Sequence, residues 1–351
     1  MSDDSLLATL REQLDRLLAA ECPPARVREI ERGEDADSLW RPLQDSGFLD
    51  AMLPEAAGGA GLTLAEAATL FAIEGRHVLP LPMAHTMLVR ALLERAGLGA
   101  PPGPIAIAPR VRWAPDGGLS CPAVPNGRAA EWVAAAHPGG WLLLPVAAAE
   151  RCALGSVGGD GVHGSLRADL QWAAVPPQSL GVTDTVAWAE AGAALAAAQL
   201  AGALQRVLEL SVAFANQREQ FGRPLGKFQA LQHQLAVMAE QVAAAQMAAA
   251  MGCSGAGPLP RPLRAALAKA RASEAAALAA GIAHAVHGAI GVTAEFDLQL
   301  HTRRLHEWRA DFGAESHWNT VLGHALLASG PDPALDFMRR ELFPQNHEIV
   351  P

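Results

Sequence analysis

The sequence is poor in cysteine. Its four cysteines, Cys22, Cys121, Cys152 and Cys253, are scattered along 351 residues and include no Cys-x-x-Cys pair. Zinc sites and disulfide frameworks need several cysteines at short, regular spacings. The sequence therefore indicates neither kind of site and no other metal site. A reducing cytoplasm is the simplest compartment.

An excess of basic residues is also missing. Lys and Arg total 27 against 36 Asp and Glu, which gives a formal net charge of -9. General nucleic-acid binders carry a basic footprint that offsets the phosphate charge. The composition therefore argues against a nucleic-acid partner, although single arginines can still bind an anionic ligand.

Long uninterrupted hydrophobic runs are absent as well. The alanine-rich stretch 191–204 is followed at once by Gln205 and Arg206, which leaves it too short to span a bilayer. The N-terminal segment is acidic and then amphipathic, unlike a signal or transit peptide. We therefore expect no membrane partner and a cytoplasmic location.

The residues that are present divide the chain into three zones. Residues 1–100 repeat their apolar positions with helical periodicity, whereas residues 101–180 combine many Gly and Pro with short apolar runs. Residues 181–351 return to long helical patterns. The sequence thus predicts an α+β fold with an N-terminal helical domain, a small middle β domain and a C-terminal four-helix bundle.

Local signals predict several element boundaries. Ser38 is a candidate N-cap, and Thr63 with Glu66 predicts a capping box at the start of another helix. Pro23 and Pro24 should end the first helix. The predicted strands and C-terminal helices are 105–108, 141–146, 184–216, 225–252, 260–288 and 312–328.

The segment 216–240, NQREQFGRPLGKFQALQHQLAVMAE, joins two of these helices. Arg218 supplies a permanent cation, Phe221 a flat apolar ring and Gln229 an amide group around one turn. Such a set suits a ligand with phosphates and a flat ring. On these properties alone, a helical hairpin with a solvated arginine and a core phenylalanine is the simpler interpretation.

The order of the residues in this segment adds a resemblance. The pattern R-x-x-F-G-x-P-x-x-x-F-Q resembles the FAD-contacting segment of acyl-CoA dehydrogenases. Residues 53–82 resemble the family's N-terminal P-E-x-x-G-G-x-G-L segment and the helix after it. Residues 284–304 resemble its Q-x-H-G-G-x-G-x-T-x-E-x-x-L-x-x-x-x-R-R segment. The resemblance covers nearly the whole chain and is most specific in the C-terminal half.

The resemblance implies an activity. Family members use FAD to remove an α-proton and a β-hydride from an acyl-CoA thioester, which leaves the 2-enoyl-CoA. They work as oligomers and pass electrons to an electron-transferring flavoprotein. A carboxylate base must stand at the α-carbon, and the thioester oxygen must be hydrogen-bonded as enolate character develops.

The resemblance also assigns cofactor contacts. Arg218 would pair with the FAD pyrophosphate, Phe221 would pack on the cofactor, and Gln229 would hydrogen-bond it. Gln220 stands where the family usually has Ser or Thr and keeps hydrogen-bonding capacity.

A second cofactor contact would come from the turn at His287, Gly288 and Gly291, which would approach FAD held mainly by a neighbouring subunit. Alternatively, His287 is a helix C-terminal residue stabilised by the helix dipole, and the glycines end the helix.

The catalytic base is harder to place. Counting from Arg303 and Arg304, the family's Y-E-G-T segment falls on residues 311–314, so Phe312 occupies the glutamate position. The adjacent Asp311 is the predicted base, and an N-cap role for a helix starting near Gly313 is an equal alternative.

Some relatives instead place the base on the first bundle helix. That position is Gly192, with Glu190 two residues earlier. Two residues correspond to about 200° around a helix axis, so Glu190 would face away.

Other departures lead to a second functional hypothesis. Ala285 and Ala289 replace a Gln and a Gly of the family pattern, and no match to its T-E-P-x-x-G-S-D segment is found. Some relatives assemble from two related subunits, one with an incomplete site. The sequence thus predicts an FAD-dependent acyl-CoA dehydrogenase, and the alternative is a non-catalytic or cofactor-sharing partner subunit of a heteromeric one. A flavoenzyme of the same fold with another substrate is a third possibility.

Overall fold

The computed structural model describes residues 3–153, 165–255, 257–330 and 334–343. Within these ranges the elements follow the predicted order of helices, then strands, then helices. The α-helices are α1 Asp3–Glu21, α2 Pro24–Glu31, α3 Asp37–Asp45, α4 Leu64–Arg76, α5 Met83–Arg95, α6 Trp188–Gln217, α7 Gln229–Gly252, α8 Pro262–His287, α9 Leu298–Ala310, α10 Glu315–Ala328 and α11 Ala334–Glu341. The strands are β1 Ile105–Ile107, β2 Arg112–Trp113, β3 Leu119–Val124, β4 Trp132–His137, β5 Gly140–Pro145, β6 Glu150–Ala153, β7 Ala168–Trp172, β8 Leu180–Val182, β9 Glu219–Gln220 and β10 Arg223–Pro224.

The N-terminal helices show which local signals decide an element boundary. The predicted capping box is confirmed, because the Glu66 N–H donates to Thr63 Oγ1 and the Thr63 N–H donates to Glu66 Oε2. The Ser38 prediction is wrong. Helix α3 begins at Asp37, no side chain caps it, and Ser38 instead accepts a hydrogen bond from Arg26. Pro24 begins α2, since proline is favoured in the first turn of a helix.

The described residues of the middle zone form two packed sheets. One has the strand order β1-β4-β5-β8 and the other β2-β3-β7-β6. Side chains alternate along β4: Val133 and Ala135 pack between the sheets, and Ala134 packs against the helices. The first sheet is therefore buried on both faces, and it joins the β domain to the helical core.

The C-terminal helices pack closely because they are rich in alanine and glycine. A Cβ atom at Gly202 of α6 would overlap the backbone carbonyl of Ala72 on α4, and one at Gly75 would overlap that of Gln199. Glu74 is fully buried at the same crossing. Its carboxyl accepts hydrogen bonds from the Gln199 amide and from the Ala84 N–H, both at 3.0 Å. This carboxyl links α4, α5 and α6.

Helix α8 occupies the centre of the bundle, where it contacts α6, α7, α9 and α10. Together with the turn after it, the stretch Pro262–Val292 is long and apolar enough to cross a membrane by length and composition. The core helix of a folded protein can pass the same test of length and composition. Most buried positions of α8 are alanines, which allow its four neighbours to approach.

The end of the bundle differs from the sequence prediction. Helix α9, Leu298–Ala310, was not predicted, and Asp311 terminates it as its C-cap. The next helix begins only at Glu315, so the predicted N-cap role of Asp311 is wrong. Phe312 and Gly313 have φ angles of 54° and 98°, and this left-handed backbone separates the two helices.

Candidate functional site

The hairpin after α6 carries the first predicted cofactor contacts. Strands β9 and β10 pair antiparallel, and the two residues between them, Phe221 and Gly222, both have positive φ. Positive φ at both central residues defines the hairpin turn that matches strand twist. The turn leaves Phe221 90% exposed, so its ring faces outward and is not a core residue.

Arg218 lies where α6 ends and is exposed. Its N–H donates to the Phe214 carbonyl, but its guanidinium makes no hydrogen bond or ion pair with the described part of the chain. Gln220 lies on β9, and Gln229 is the first residue of α7, and both are exposed. An unpaired cation, an exposed aromatic ring and two amides therefore share one surface, and their cofactor roles stay predictions.

The second predicted contact, the turn after α8, lies at the same end of the bundle. Phe214, one turn before Arg218, stacks on His287 with ring centroids 4.4 Å apart. Phe296 contacts both rings and completes an aromatic cluster. The structure thus brings together two motifs that are far apart in sequence.

His287 is the last residue of α8 and is buried, with Nδ1 2.8 Å from the Ala283 carbonyl oxygen. Its buried Nε2 has no hydrogen-bond partner in the described residues, and burial lowers the pKa of the ring. Gly288 ends the helix with a φ of 63°, and Gly291 packs tightly against His287 and Leu298. Helix termination and a close backbone approach to a ligand are therefore compatible at this turn.

The two alternative base positions meet in the core. The Phe312 ring lies over Gly192, where a Cβ atom would overlap it. His85 of α5 contacts the same ring edge-on, with centroids 5.7 Å apart. Burial lowers the pKa of His85 to about 4, so this imidazole is neutral at neutral pH. None of these three residues carries a carboxylate.

Asp311, the predicted base, faces a different environment. Its carboxylate is 2.7 Å from the Arg167 guanidinium, which belongs to the segment leading into β7. Burial raises the pKa of Asp311 to about 6, although Arg167 opposes that shift. Lys269 of α8 also lies close, and its buried ammonium has a pKa lowered to about 7 by desolvation. Asp311 is therefore the anion of a buried charged cluster.

Buried charges hold α9 at its C-terminal end and at its middle. The Lys269 Nζ donates to the carbonyls of Arg309 and Gly313 at 2.8 and 2.9 Å. Arg303 and Arg304 both contact Glu31 of α2, at 2.9 and 2.8 Å. The paired arginines of the family segment thus join the N-terminal helices to the bundle. Local sequence patterns indicate no role for Lys269, Arg167 or Glu31, because their partners are distant in sequence.

Glu190, the other candidate carboxylate, lies apart from Gly192. It is half-buried in the first turn of α6 and lines an open cavity of about 440 Å³ between the β domain and that helix. Trp113, His137 and Trp188 line the same cavity. Glu190 therefore belongs to the boundary between the domains and not to the point where Phe312 meets Gly192.

Comparisons with known proteins agree with this architecture. Residues 7–98 match the model of the acyl-CoA dehydrogenase N-terminal domain, and residues 181–314 match that of the C-terminal domain. Acyl-CoA dehydrogenase IpdE2 of Mycobacterium tuberculosis is 35% identical over 306 residues, which cover 85% of this chain and 90% of that protein.

Solved structures show the same fold. The Tcur3481-Tcur3483 steroid ACAD variant superposes with a TM-score of 0.75 at 26% identity, covering 93% of this chain and 99% of that one. The ChsE4-ChsE5 complex of Mycobacterium tuberculosis also gives a TM-score of 0.75, at 21% identity, with 93% and 98% coverage. The chain therefore belongs to the acyl-CoA dehydrogenase family of flavoprotein oxidoreductases.

Proposed function

We propose that this chain is the cofactor-sharing subunit of a heteromeric acyl-CoA dehydrogenase that converts an acyl-CoA thioester to the 2-enoyl-CoA. In this arrangement the chain completes an FAD site held mainly by a related subunit. That subunit supplies the catalytic base. The observation that carries the proposal is the contact between Phe312 and Gly192, since both base positions hold residues that accept no proton.

The residues at the end of the bundle fit FAD. Arg218 has no anionic partner in the described residues, so its charge is available for a pyrophosphate. The exposed Phe221 ring offers a flat apolar surface, and Gln220 and Gln229 offer amide groups. All of these groups face away from the chain's own core, which suits a cofactor bound at a subunit boundary.

The cofactor, the residues of this chain and the electron acceptor would then have different roles in the reaction. FAD, when bound, supplies the acceptor for the β-hydride. Arg218 would hold the cofactor by a charge-assisted hydrogen bond, and the turn at Gly288 and Gly291 would let the backbone approach it closely. Electrons would leave to an electron-transferring flavoprotein.

The relatives support a heteromeric enzyme. The Tcur3481-Tcur3483 structure is described as a steroid ACAD and pairs two named proteins, and ChsE4-ChsE5 is likewise a complex of two. A related pairing would supply the base that this chain lacks. The steroid relative makes a steroid side-chain acyl-CoA the first substrate to test.

A complete enzyme that uses Asp311 as its base is the second candidate. The observation in its favour is that burial raises the pKa of Asp311 to about 6, and a base with a pKa near the working pH is effective. The Arg167 guanidinium 2.7 Å away opposes this role, because it already binds the carboxylate.

The FAD site is tested with Arg218→Ala in the complex with the subunit that co-purifies with this chain. A charge-assisted hydrogen bond contributes about 1.5–3 kcal/mol, so FAD affinity should fall roughly 10- to 150-fold. Arg223→Ala on the same hairpin is the matched control, because its guanidinium lies over the Phe228 ring. Equal FAD affinity in wild type and Arg218→Ala would contradict the proposed cofactor contact.

A further inference from the structure

The contact between Gly192 and Phe312 locates the reaction centre that this chain would have. Gly192 lies on α6, and Phe312 lies in the loop between α9 and α10. A base at either position would have to reach the α-carbon of the same substrate. Since the two positions touch, the acyl α-carbon would have to lie at their point of contact.

The Phe312 ring fills this point. Only 6% of Phe312 is exposed, and its ring lies between Gly192 and the buried His85. The absence of a side chain at 192 is what makes room for the ring. Neither Gly192 nor Phe312 supplies a carboxylate, and the Phe312 ring occupies the space beside Gly192.

The backbone around Phe312 is held on both sides. The Trp318 indole N–H donates to the Phe312 carbonyl at 3.0 Å, and Lys269 Nζ donates to the Gly313 carbonyl at 2.9 Å. Before it, Asp311 is paired with Arg167 at 2.7 Å. Moving the ring out of the core would require these buried contacts to break.

We propose that Phe312 closes the acyl pocket of this chain, so that a complex containing it binds acyl-CoA only at the pocket of the other subunit. Phe312 is then a determinant of how many substrates the complex binds. The inference rests on the proposed function, since it assumes that the chain derives from an acyl-CoA-binding subunit.

The test compares the affinities of the full-length chain for octanoyl-CoA and for free CoA, measured by isothermal titration calorimetry. In the wild-type chain the acyl group should add less than about threefold to the affinity, because its pocket is filled. In Phe312→Gly and Phe312→Ala, octanoyl-CoA should bind at least about tenfold more tightly than CoA, since buried CH₂ groups favour binding. Glycine also suits the φ of 54° at this position, which favours folding of that variant.

Phe337→Ala is the matched control, because Phe337 is equally buried at 5% exposure on α11. It should leave both affinities unchanged. A wild-type chain that binds octanoyl-CoA tenfold more tightly than CoA would overturn the proposal, and so would Phe312 variants that show no preference for the acyl ester. Neither readout depends on FAD, so failure of the cofactor-sharing function would show separately, as absence of FAD from the complex.

Discussion

Glu74 gives the protein a specific dependence of stability on pH. Its carboxyl is fully buried, and burial raises its pKa from 4.5 to about 8, against the opposing hydrogen bonds from Ala84 and Gln199. Between these two pH values the folded state keeps the proton and the unfolded state releases it. Stability should therefore fall as the pH rises from about 4.5 to about 8 and should then level off.

The size of this effect follows from the pKa values. Each pKa unit corresponds to about 1.4 kcal/mol, so the protonated carboxyl favours the fold by about 4–5 kcal/mol over the ionised one. Glu74→Gln removes the titration, and the Gln199 amide beside it can turn to remain hydrogen-bonded. The variant should be no more stable than wild type at pH 5 and clearly more stable at pH 8.

The assay is chemical unfolding followed by tryptophan fluorescence at several pH values between 5 and 8. The useful quantity is the difference in unfolding free energy between variant and wild type, because other titrating groups cancel in it. Glu94→Gln, an exposed position on the neighbouring helix α5, is the control and should give a flat difference. A flat difference for Glu74→Gln as well would refute the assigned pKa.

Two further predictions concern the catalytic base and the assembly. Asp311→Asn in the heteromeric complex should change the rate of flavin reduction by acyl-CoA by less than about twofold, whereas loss of a true base would lower it by orders of magnitude. Light scattering at micromolar concentration should show at least a dimer, because the cofactor surface at Arg218 faces outward and would be completed by another subunit. A monomer of 36.6 kDa that binds FAD tightly would contradict this.

Much of the architecture follows from local sequence signals. The capping box of Thr63 and Glu66 and the strands near 105 and 141 depend on neighbouring residues, and the structure contains them. The boundaries between the helical and β zones depend on composition in the same way and stay predictions. The sequence pattern does not predict helix α9, because many of its residues are polar and its helical periodicity is weak. Its buried polar positions find their partners, such as Glu31 for Arg304, only in the folded protein.

The contacts at the site could not be predicted, because they join distant parts of the chain. The motif spacing predicts Phe312 and Gly192 as separate base positions, but only the fold shows that the Phe312 ring fills the space above Gly192. The neighbours of Asp311 in sequence are compatible with either a base or a helix cap. Its ion pair with Arg167, which comes from the β domain, decides its environment.

The central claim is that this chain shares FAD with a second subunit and supplies no base. The most direct test is the visible spectrum of the chain alone and in its native complex, each mixed anaerobically with steroid side-chain and straight-chain acyl-CoA esters. We predict that the complex carries one FAD per pair of subunits and is bleached, and that the isolated chain is not bleached by any ester. Bleaching of FAD bound to the isolated chain would contradict the account, because it would require a base within this chain.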